Sequence, residues 1–352
     1  MKKTLGTRAV FAAASLASVS LVLSGCSGAS EGSEGELEDV TFMVDVAFLP
    51  KHAPFFSAAA QGFFEAEGIS LEIMPGSGSN NTVTSVDTGR VDFGWADYGV
   101  TILNKGEGAS VKQVNLVQGM SAYATLALPD SGISDWSDLK GKTVATEGAG
   151  AMTAMWPLAV EGAGLSESDV EVVHASGESK IPGLLANQWD ANISLFVSDE
   201  PVLIGEGIEP VVLKWADVGV SYYGNGIVAS EGTIEADSDL VSRFNHAMQQ
   251  GYLWACQNPE LAAADFMAEV PGFTAETVEA AIDGQCSLSW SPENEELGFG
   301  AMSDEGVQDF IDVAGDYLGL EDPEGLDPSS VYTNEFLMDI ERGDEISLPQ
   351  AN

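Results

Sequence analysis

Short apolar runs alternate with helical stretches along most of this 352-residue chain, and this alternation restricts the fold more than any other feature. Thr41 to Phe48, Ile69 to Met74 and Asp92 to Trp95 are predicted strands, and the apolar residues between the first two recur every four positions, as in a helix. Strands that alternate with helices form parallel sheets covered by helices on both faces. The sequence therefore predicts an α/β fold.

The same arrangement begins again after Asp138. Lys142 to Thr146, Glu171 to His174 and Asn192 to Val197 are the predicted strands of a second unit, and a helix-rich segment follows from Asp237 to Leu320. A folded body of about 300 residues commonly splits into two lobes instead of growing one core. We therefore expect two lobes, each with a mixed, mainly parallel sheet flanked by helices.

The chain is expected to cross between the lobes twice, near Thr125 and near Asn225. This assigns residues 40–125 and 226–345 to the first lobe and residues 126–225 to the second. Two crossings form a two-strand hinge, and such a hinge lets two lobes close around a ligand. The organisation predicts capture of a small molecule.

The N-terminus resembles a signal peptide of 25 residues. Lys2, Lys3 and Arg8 precede an apolar stretch from Val10 to Leu23, which is too short to cross a membrane as a mature helix. The stretch leads to Cys26 in Leu-Ser-Gly-Cys, which matches the lipobox of bacterial lipoproteins, where the cysteine sulfur receives a lipid. We expect export and anchoring to the cell membrane through this cysteine, because two or three lipid chains hold a domain durably. An ordinary secreted protein with an incidental cysteine is the alternative.

The net charge of the chain limits the kinds of molecule it can bind. The chain carries 13 Lys and Arg against 55 Asp and Glu, a formal net charge of −42. A protein this acidic is repelled by phosphate backbones, so we expect no nucleic-acid partner. Residues 26–39 are small, polar and acidic and predict a flexible tether, and residues 346–352 predict a short tail.

The cysteines and histidines suggest neither a metal site nor a cofactor. The three histidines and three cysteines are scattered along the sequence, without the spacing of zinc or iron ligands. With Cys26 lipidated, Cys256 and Cys286 remain as an even pair in an oxidising compartment, which favours a disulfide. Two unpaired buried thiols are the alternative. Because the sequence has no Gly-x-Ser-x-Gly elbow and no His-Glu-x-x-His helix, it offers no catalytic residues by those routes.

Residues 45–99 carry a series of recognisable motifs: an Ala-rich helix, Gly-Phe-Phe and Glu-Gly steps, a Gly/Ser loop and Gly-Arg-Val-Asp-Phe-Gly. This series resembles the opening of the periplasmic binding proteins of the nitrate, sulfonate and taurine group, which includes relatives that bind thiamine pyrimidine precursors. Residues 136–145, 185–191 and 332–336 resemble later parts of the same proteins. Gln188 and Trp189 stand where the group usually has a glycine, and Met152, Met155 and Trp156 follow the second-lobe glycine loop, which favours a wider or more apolar pocket.

This resemblance implies a two-lobed type II periplasmic binding protein. Such a protein is expected to bind a small organic solute such as a sulfonate, an aromatic acid or a pyrimidine-like compound. It would be a monomer that passes the solute to the membrane subunits of an ABC importer and carries out no reaction. One alternative is an enzyme similar to the pyrimidine-precursor synthases of this fold, whose cysteine-rich metal motif this sequence lacks. Another is a surface receptor for a macromolecule, which would need an exposed aromatic patch.

In α/β sheets, ligands bind outside the carboxyl ends of the strands, where loop amides and helix N-termini face the crevice. In the first lobe, we expect His52, after the first strand, either to donate to or stack on a ring of the ligand, or to be a surface residue that forms hydrogen bonds. The loop from Gly76 to Asn80 either presents backbone N–H groups to the ligand or is a plain connection. Asp97, after the third strand, either binds an amine of the ligand or caps the next helix. The candidates are Phe48, His52, Phe55, Gly76, Ser77, Gly78, Ser79, Asn80, Asp97 and Tyr98.

The second lobe and the hinge supply the remaining candidates. The second glycine loop offers amides and a hydroxyl, and the methionine and tryptophan that follow it line the pocket or belong to the core. Aromatic residues near the crossings, together with a few amides, favour a small planar solute. The candidates are Gly148, Ala149, Gly150, Met152, Thr153, Trp156, Ser198 and Asp199 in the lobe, and Tyr123, Tyr222, Tyr223 and Asn225 at the hinge.

Overall fold

The computed structural model describes residues 37–148 and 150–350. The predicted signal peptide, the lipidation site Cys26, most of the tether and the loop residue Ala149 lie outside the described residues. The strands form two five-stranded sheets, one in each lobe. They are β1 (Glu38–Met43), β2 (Ile69–Met74), β3 (Phe93–Asp97), β4 (Val111–Asn115), β5 (Tyr123–Ala127), β6 (Thr143–Thr146), β7 (Glu171–His174), β8 (Ala191–Leu195), β9 (Val211–Lys214) and β10 (Asn225–Ser230).

Each sheet is mainly parallel and contains one antiparallel strand. The first sheet has the order β2-β1-β3-β10-β4, and β10 runs antiparallel to β3 and β4. The second sheet has the order β7-β6-β8-β5-β9, and β5 runs antiparallel to β8 and β9. In both sheets the antiparallel strand is the first one that the chain forms after crossing from the other lobe. The predicted fold class is therefore confirmed.

Helices cover both sheets and fill the C-terminal part of the described chain. None of the helices in residues 37–148 and 150–350 has the length and apolar character needed to cross a membrane. The α-helices are α1 (Ala53–Ala60), α2 (Phe63–Ala66), α3 (Ser79–Asp87), α4 (Tyr98–Gly106), α5 (Ala151–Gly162), α6 (Gly177–Leu185), α7 (Phe196–Gly205), α8 (Glu231–Ala236), α9 (Ser238–Gln257), α10 (Pro259–Glu269), α11 (Ala275–Leu288), α12 (Pro292–Leu297), α13 (Asp304–Val313) and α14 (Pro328–Val331).

The two crossings lie earlier in the chain than expected. Thr125 lies in the middle of β5 and pairs with Ile193 and Leu213 of the second sheet, so the first crossing is residues 116–122. Asn225 is already the first residue of β10 in the first sheet, so the second crossing is residues 215–224. The alternating apolar pattern of β5 does not reveal which sheet the strand joins, because that choice depends on its partners.

Apolar side chains form a separate core around each sheet. In the first lobe, α9 lays Phe244 against Phe93 of β3, with ring centroids 3.9 Å apart. In the second lobe, Trp156 of α5 packs against Trp215, with centroids 5.8 Å apart. A disulfide joins Cys256 of α9 to Cys286 of α11, which is the pairing expected from the sequence. The α11 helix also contacts α7 of the second lobe.

Candidate functional site

The facing ends of the two sheets enclose a small cavity. The carboxyl ends of β3 and β8 meet the amino ends of β5 and β10 there, because those last two strands run in the opposite direction. The cavity has a volume of ≈ 10 Å³, room for about one water molecule. An organic molecule therefore fits only if the lobes move apart. Its walls consist of Lys51, Trp95, Asp97, Gln118, Ser121, Ala122, Tyr123, Leu195, Val197, Gly224 and Asn225.

A buried charged group supports the first-lobe wall. Asp45, directly after β1, accepts hydrogen bonds from Lys51 Nζ at 2.7 Å and from His52 Nε2 at 2.8 Å. All three side chains are nearly or fully removed from solvent. Burial alone raises the pKa of Asp45, but the Lys51 ammonium and the His52 hydrogen bond outweigh burial and hold that pKa well below its usual range. Asp45 is therefore a carboxylate that fixes the Lys51 side chain.

The hydrogen bonds of His52 define its protonation state. The Leu49 backbone N–H donates to His52 Nδ1 at 3.0 Å, so the ring proton resides on Nε2 and is donated to Asp45. Burial is the largest influence on His52 and lowers its pKa, which keeps the ring neutral. Both ring nitrogens are thus engaged within the protein. His52 was expected to contact a ligand or to lie at the surface, but it is buried behind the cavity wall. Its neighbour Lys51 lines the cavity instead.

Two residues of the cavity wall carry polar atoms without hydrogen-bond partners in the described chain. Lys51 Nζ lies 5.2 Å from the centroid of the Trp95 ring, and its hydrogen bond to Asp45 accounts for one of its three N–H donors. Trp95 Nε1 and Ser121 Oγ are buried and have no partner among the described residues. Buried polar atoms are nearly always satisfied in folded proteins. These atoms therefore mark positions where another molecule can donate or accept.

Asp97 brings a carboxyl group to the same cavity. Its Oδ1 accepts from Val100 N at 2.9 Å, which caps α4, and its backbone N–H donates to Ser79 Oγ at 3.1 Å. Asp97 therefore caps α4 and also lines the cavity. Burial is the largest influence and raises the pKa of Asp97 to about 6. Within the described chain no Lys, Arg or His side chain forms an ion pair with this carboxyl group.

Gln118 joins the two crossings beneath the cavity. Its backbone N–H donates to Asn225 O at 2.9 Å, and its carbonyl accepts from Gly224 N at 3.0 Å. The side-chain Oε1 accepts from Asn225 N at 2.9 Å, and Nε2 donates to Gln285 of α11 at 2.7 Å. The two crossings therefore form a short hydrogen-bonded waist, and Asn225 lines the cavity beside it.

The glycine loop after β2 has a structural task. Gly76 N donates to Val46 O at 3.0 Å, and Gly78 N donates to Asp45 O at 2.7 Å. A Cβ atom on Gly76 would lie 2.1 Å from Val44 O, so only glycine permits this approach. Two of the amides expected to face a ligand instead hold the loop that carries Asp45.

The rest of that loop also bonds within the first lobe. Ser77 is exposed, and Ser79 accepts the Asp97 backbone N–H. Asn80 is exposed, and its Oδ1 accepts from Asn104 Nδ2 at 2.8 Å. None of these three side chains is among the residues that line the cavity.

The aromatic candidates of the first lobe belong to its packing. Phe48 meets the edge of Phe56 with centroids 5.0 Å apart. Phe55 is fully buried between Phe42 and Trp95, and its centroid lies 5.1 Å from that of Trp95. Phe55 therefore supports the Trp95 ring from behind, and neither phenylalanine lines the cavity.

The corresponding loop of the second lobe lies away from the cavity. Gly148 and Gly150 are exposed. Thr153 Oγ1 donates to the Glu147 carbonyl at 2.8 Å and accepts from Thr146 Oγ1 at 2.8 Å. The Thr153 hydroxyl is therefore used to hold the loop against the end of β6.

The other second-lobe candidates are also engaged within the protein. Met152 and Trp156 pack in the core of that lobe, which is the alternative that the sequence left open. Ser198 lies in the first turn of α7 and is half-buried. Asp199 accepts from Ser194 Oγ at 2.5 Å and lies 3.5 Å from Lys180 Nζ.

Of the predicted hinge aromatics, Tyr123 lines the cavity and the others pack against α13. Tyr222 stacks on Phe310 with centroids 5.3 Å apart, and Tyr98 stacks on the same ring at 6.0 Å. Tyr223 donates to Glu293 Oε2 at 2.7 Å. These contacts attach the second crossing to the C-terminal helices of the first lobe.

The sequence prediction missed most of the cavity wall. Trp95 could have been found, because it stands two residues before Asp97 on β3 and therefore points to the same face. Gln118 and Ser121 carried no local signal, since their position depends on where the chain crosses. Among residues 37–148 and 150–350, no three His, Cys, Asp or Glu side chains gather in an arrangement that could hold a metal ion.

Comparisons with known proteins place the chain among two kinds of relative. The riboflavin-binding protein RibY of Chloroflexus aurantiacus is 28% identical over 230 residues, which are 64% of this chain and 65% of that protein. The formylaminopyrimidine-binding protein of Halalkalibacterium halodurans is 24% identical over 246 residues, 69% of this chain and 74% of that protein. The 4-amino-5-hydroxymethyl-2-methylpyrimidine phosphate synthase of Schizosaccharomyces pombe is 26% identical over 156 residues, 44% of each chain.

Solved structures show the same architecture. The periplasmic aliphatic sulphonate binding protein SsuA of Escherichia coli superposes with a TM-score of 0.62 at 15% identity, over 79% of this chain and 92% of that one. This likeness establishes the periplasmic binding protein fold. The family described as NMT1/THI5 like matches residues 49–262, which is more than half of the sequence. The chain therefore belongs to the NMT1/THI5 like family.

Proposed function

We propose that this protein is an extracytoplasmic solute-binding protein that closes its two lobes on a small organic molecule and delivers it to an ABC importer. One observation carries the proposal: the cavity between the sheets is lined from both lobes, and two residues of its wall, Trp95 and Ser121, have buried polar atoms without partners in the described chain. Such atoms cost free energy unless a ligand bonds to them. A concave site with a few convergent polar groups is typical of small-molecule binding.

The relatives support a solute of modest size. Two of them are named for binding riboflavin and formylaminopyrimidine, and the structural neighbour from Escherichia coli is named for aliphatic sulphonates. The candidate solutes are therefore sulfonates, aromatic acids and pyrimidine-like compounds. Trp95 and Tyr123 offer aromatic surface at the cavity, and stacking on such surface adds about 0.5 to 1.5 kcal/mol beyond burial.

The waist between the lobes supplies the conformational change. Residues 116–122 and 215–224 are joined through the backbone of Gln118, so rotation about this pair opens the cavity while the two cores stay intact. The solute binds most tightly when both lobes contact it, and it thereby shifts the population from an open arrangement toward one in which the lobes enclose it. The importer distinguishes the loaded protein by this closed shape.

A thermal-shift and calorimetric screen tests solute binding. We expect at least one member of a panel of riboflavin, formylaminopyrimidine, an alkanesulfonate and benzoate to raise the melting temperature, because a ligand that binds only the native state stabilises it. Trp95→Phe removes one N–H from the cavity and should weaken that binding. Trp136→Phe is the matched control, since Trp136 Nε1 is also buried and unpartnered but belongs to the second-lobe core. A cavity that binds none of these solutes contradicts the proposal.

An enzyme of the same fold is the second candidate, because one relative is named as a synthase. Capture without chemistry is supported by His52, whose two ring nitrogens are both bonded within the protein. Mass spectrometry of the bound solute after prolonged incubation decides between the two. Recovery of unchanged solute is expected, and accumulation of a product would favour the synthase.

We propose membrane attachment through a lipid on Cys26, on the strength of the Leu-Ser-Gly-Cys sequence. Replacing Cys26 with Ser should move the protein from the membrane fraction to the soluble extracytoplasmic fraction, because the thiol that receives the lipid is lost. A Cys256→Ser variant that keeps Cys26 serves as the control. Membrane retention of the Cys26→Ser variant would refute lipid attachment.

A further inference from the structure

We infer that the cavity selects a ligand that presents N–H donors to Asp97, either a cationic amidine-like group or a neutral amine, and discriminates against anions; this inference rests on the proposed solute-binding function. Among the described residues, Lys51 and Asp97 are the charged groups that line the cavity, and Asp45 is bonded to Lys51.

Lys51 does not make the cavity cationic. Its ammonium lies 2.7 Å from the Asp45 carboxylate, and both side chains are buried. At this distance in a medium of low polarity, the two charges largely cancel for a group placed farther away. Lys51 therefore acts as a hydrogen-bond donor within a neutral pair.

Asp97 lacks such compensation. One carboxylate oxygen caps α4 through Val100 N, and no cation of the described chain pairs with the group. Its ionised form leaves the cavity with an excess negative charge. A ligand N–H group that reaches the second oxygen would form a charge-assisted hydrogen bond there. A carboxylate or sulfonate in the same place meets repulsion, and the chain's net charge of −42 adds to that repulsion at long range.

The remaining cavity groups suit a polar, planar molecule. Trp95 Nε1 donates, and the Ser121 hydroxyl donates or accepts. Tyr123, at the start of β5, lines the cavity from the second lobe. A ligand whose donors face Asp97 and whose acceptor faces Trp95 or Lys51 satisfies the groups that the protein leaves unbonded.

Three ligands of nearly equal shape test this selection: benzamidine, benzamide and benzoate. By calorimetry at about pH 8, benzamidine should bind about 10- to 100-fold more tightly than benzoate, with benzamide between them. Asp97→Asn should abolish the difference while it retains the helix cap, because asparagine caps as well as aspartate. Asp199→Asn is the matched control, since it removes a partly buried carboxylate outside the cavity wall.

The dependence of ligand affinity on pH gives a second readout. The groups that face Asp97 from neighbouring elements are Asp45, Lys51 and Tyr123. Benzamidine affinity should fall when the pH is lowered through about 6, where Asp97 becomes protonated, and any benzoate affinity should rise over the same interval. These opposite slopes should vanish in Asp97→Asn.

Two results would overturn the inference: benzoate binding as tightly as benzamidine at about pH 8, or no binding of benzamidine. Either result leaves the proposed function standing if a sulfonate, aromatic acid or other solute of the wider screen closes the lobes. The proposed function fails separately, when no solute in that screen binds.

Discussion

The disulfide between Cys256 and Cys286 offers a perturbation whose size follows from the structure. It connects α9 of the first-lobe core to α11, with a sequence separation of 30 residues. Cross-linking a loop of that length removes unfolded-state entropy equivalent to about 3.6 kcal/mol at room temperature. Replacing both cysteines with alanine should lower the free energy of unfolding by about this amount. For a body of about 300 residues, the melting temperature should fall by about 5 to 6 °C.

The assay is urea unfolding followed by circular dichroism, with calorimetry for the melting temperature. A phosphine reductant should destabilise the parent protein by a similar amount and leave the double-alanine variant unchanged. The stability lost in the double variant reports mainly the loop-closure entropy, because the packing of the two half-buried cysteine side chains contributes little to that loss. If the variant unfolds at the same urea concentration as the parent, or if the reductant shifts both proteins equally, the entropic argument is wrong.

Three further predictions concern the cavity and its support. Asp45→Asn leaves the buried Lys51 ammonium without its partner and should reduce the free energy of unfolding by about 3 to 5 kcal/mol; adding Lys51→Met should recover part of that loss in urea titrations. Gly76→Ala should lower the free energy of unfolding by about 1 to 3 kcal/mol, because its Cβ would meet a backbone carbonyl oxygen at 2.1 Å. Gly148→Ala, with open space around it, is the control and should leave the melting temperature unchanged. Burial raises the pKa of Asp97 from 3.8 to about 6. The protein should therefore gain stability from Asp97 in acid and lose it as the pH rises through about 6. Equal slopes of the free energy of unfolding against pH for the parent and Asp97→Asn would contradict this.

The sequence pattern was sufficient to predict the sheets but not all of their limits. Ile69–Met74 and Glu171–His174 are strands within the predicted bounds, because each is a short apolar run followed by a loop. The first strand ends at Met43 instead of Phe48. Beyond it the backbone turns so that the carbonyl groups of Val46 and Asp45 accept hydrogen bonds from the glycine loop, and a pattern of apolar residues does not register that turn.

Prediction of the candidate site was limited for a related reason. Asp97 was predicted to follow a strand, and Tyr123 and Asn225 were predicted near the hinge; all three line the cavity, because both kinds of position follow from the alternation of elements. Gln118 and Ser121 lie in a crossing whose position depends on long-range pairing of β5, which no local signal encodes. The choice between neighbouring residues, such as Lys51 and His52, depends on a rotation of the short helix that only packing determines.

The position of β10 between β3 and β4 has a consequence for the order of synthesis. The second sheet is made from one continuous stretch, residues 123–214, whereas the first sheet lacks an inner strand until residues 225–230 have left the ribosome. Its core also waits for Phe244 and the rest of α9. The lobe encoded in the middle of the chain can therefore complete its sheet first, and the lobe that begins at the N-terminus must remain unfinished while its sister is translated.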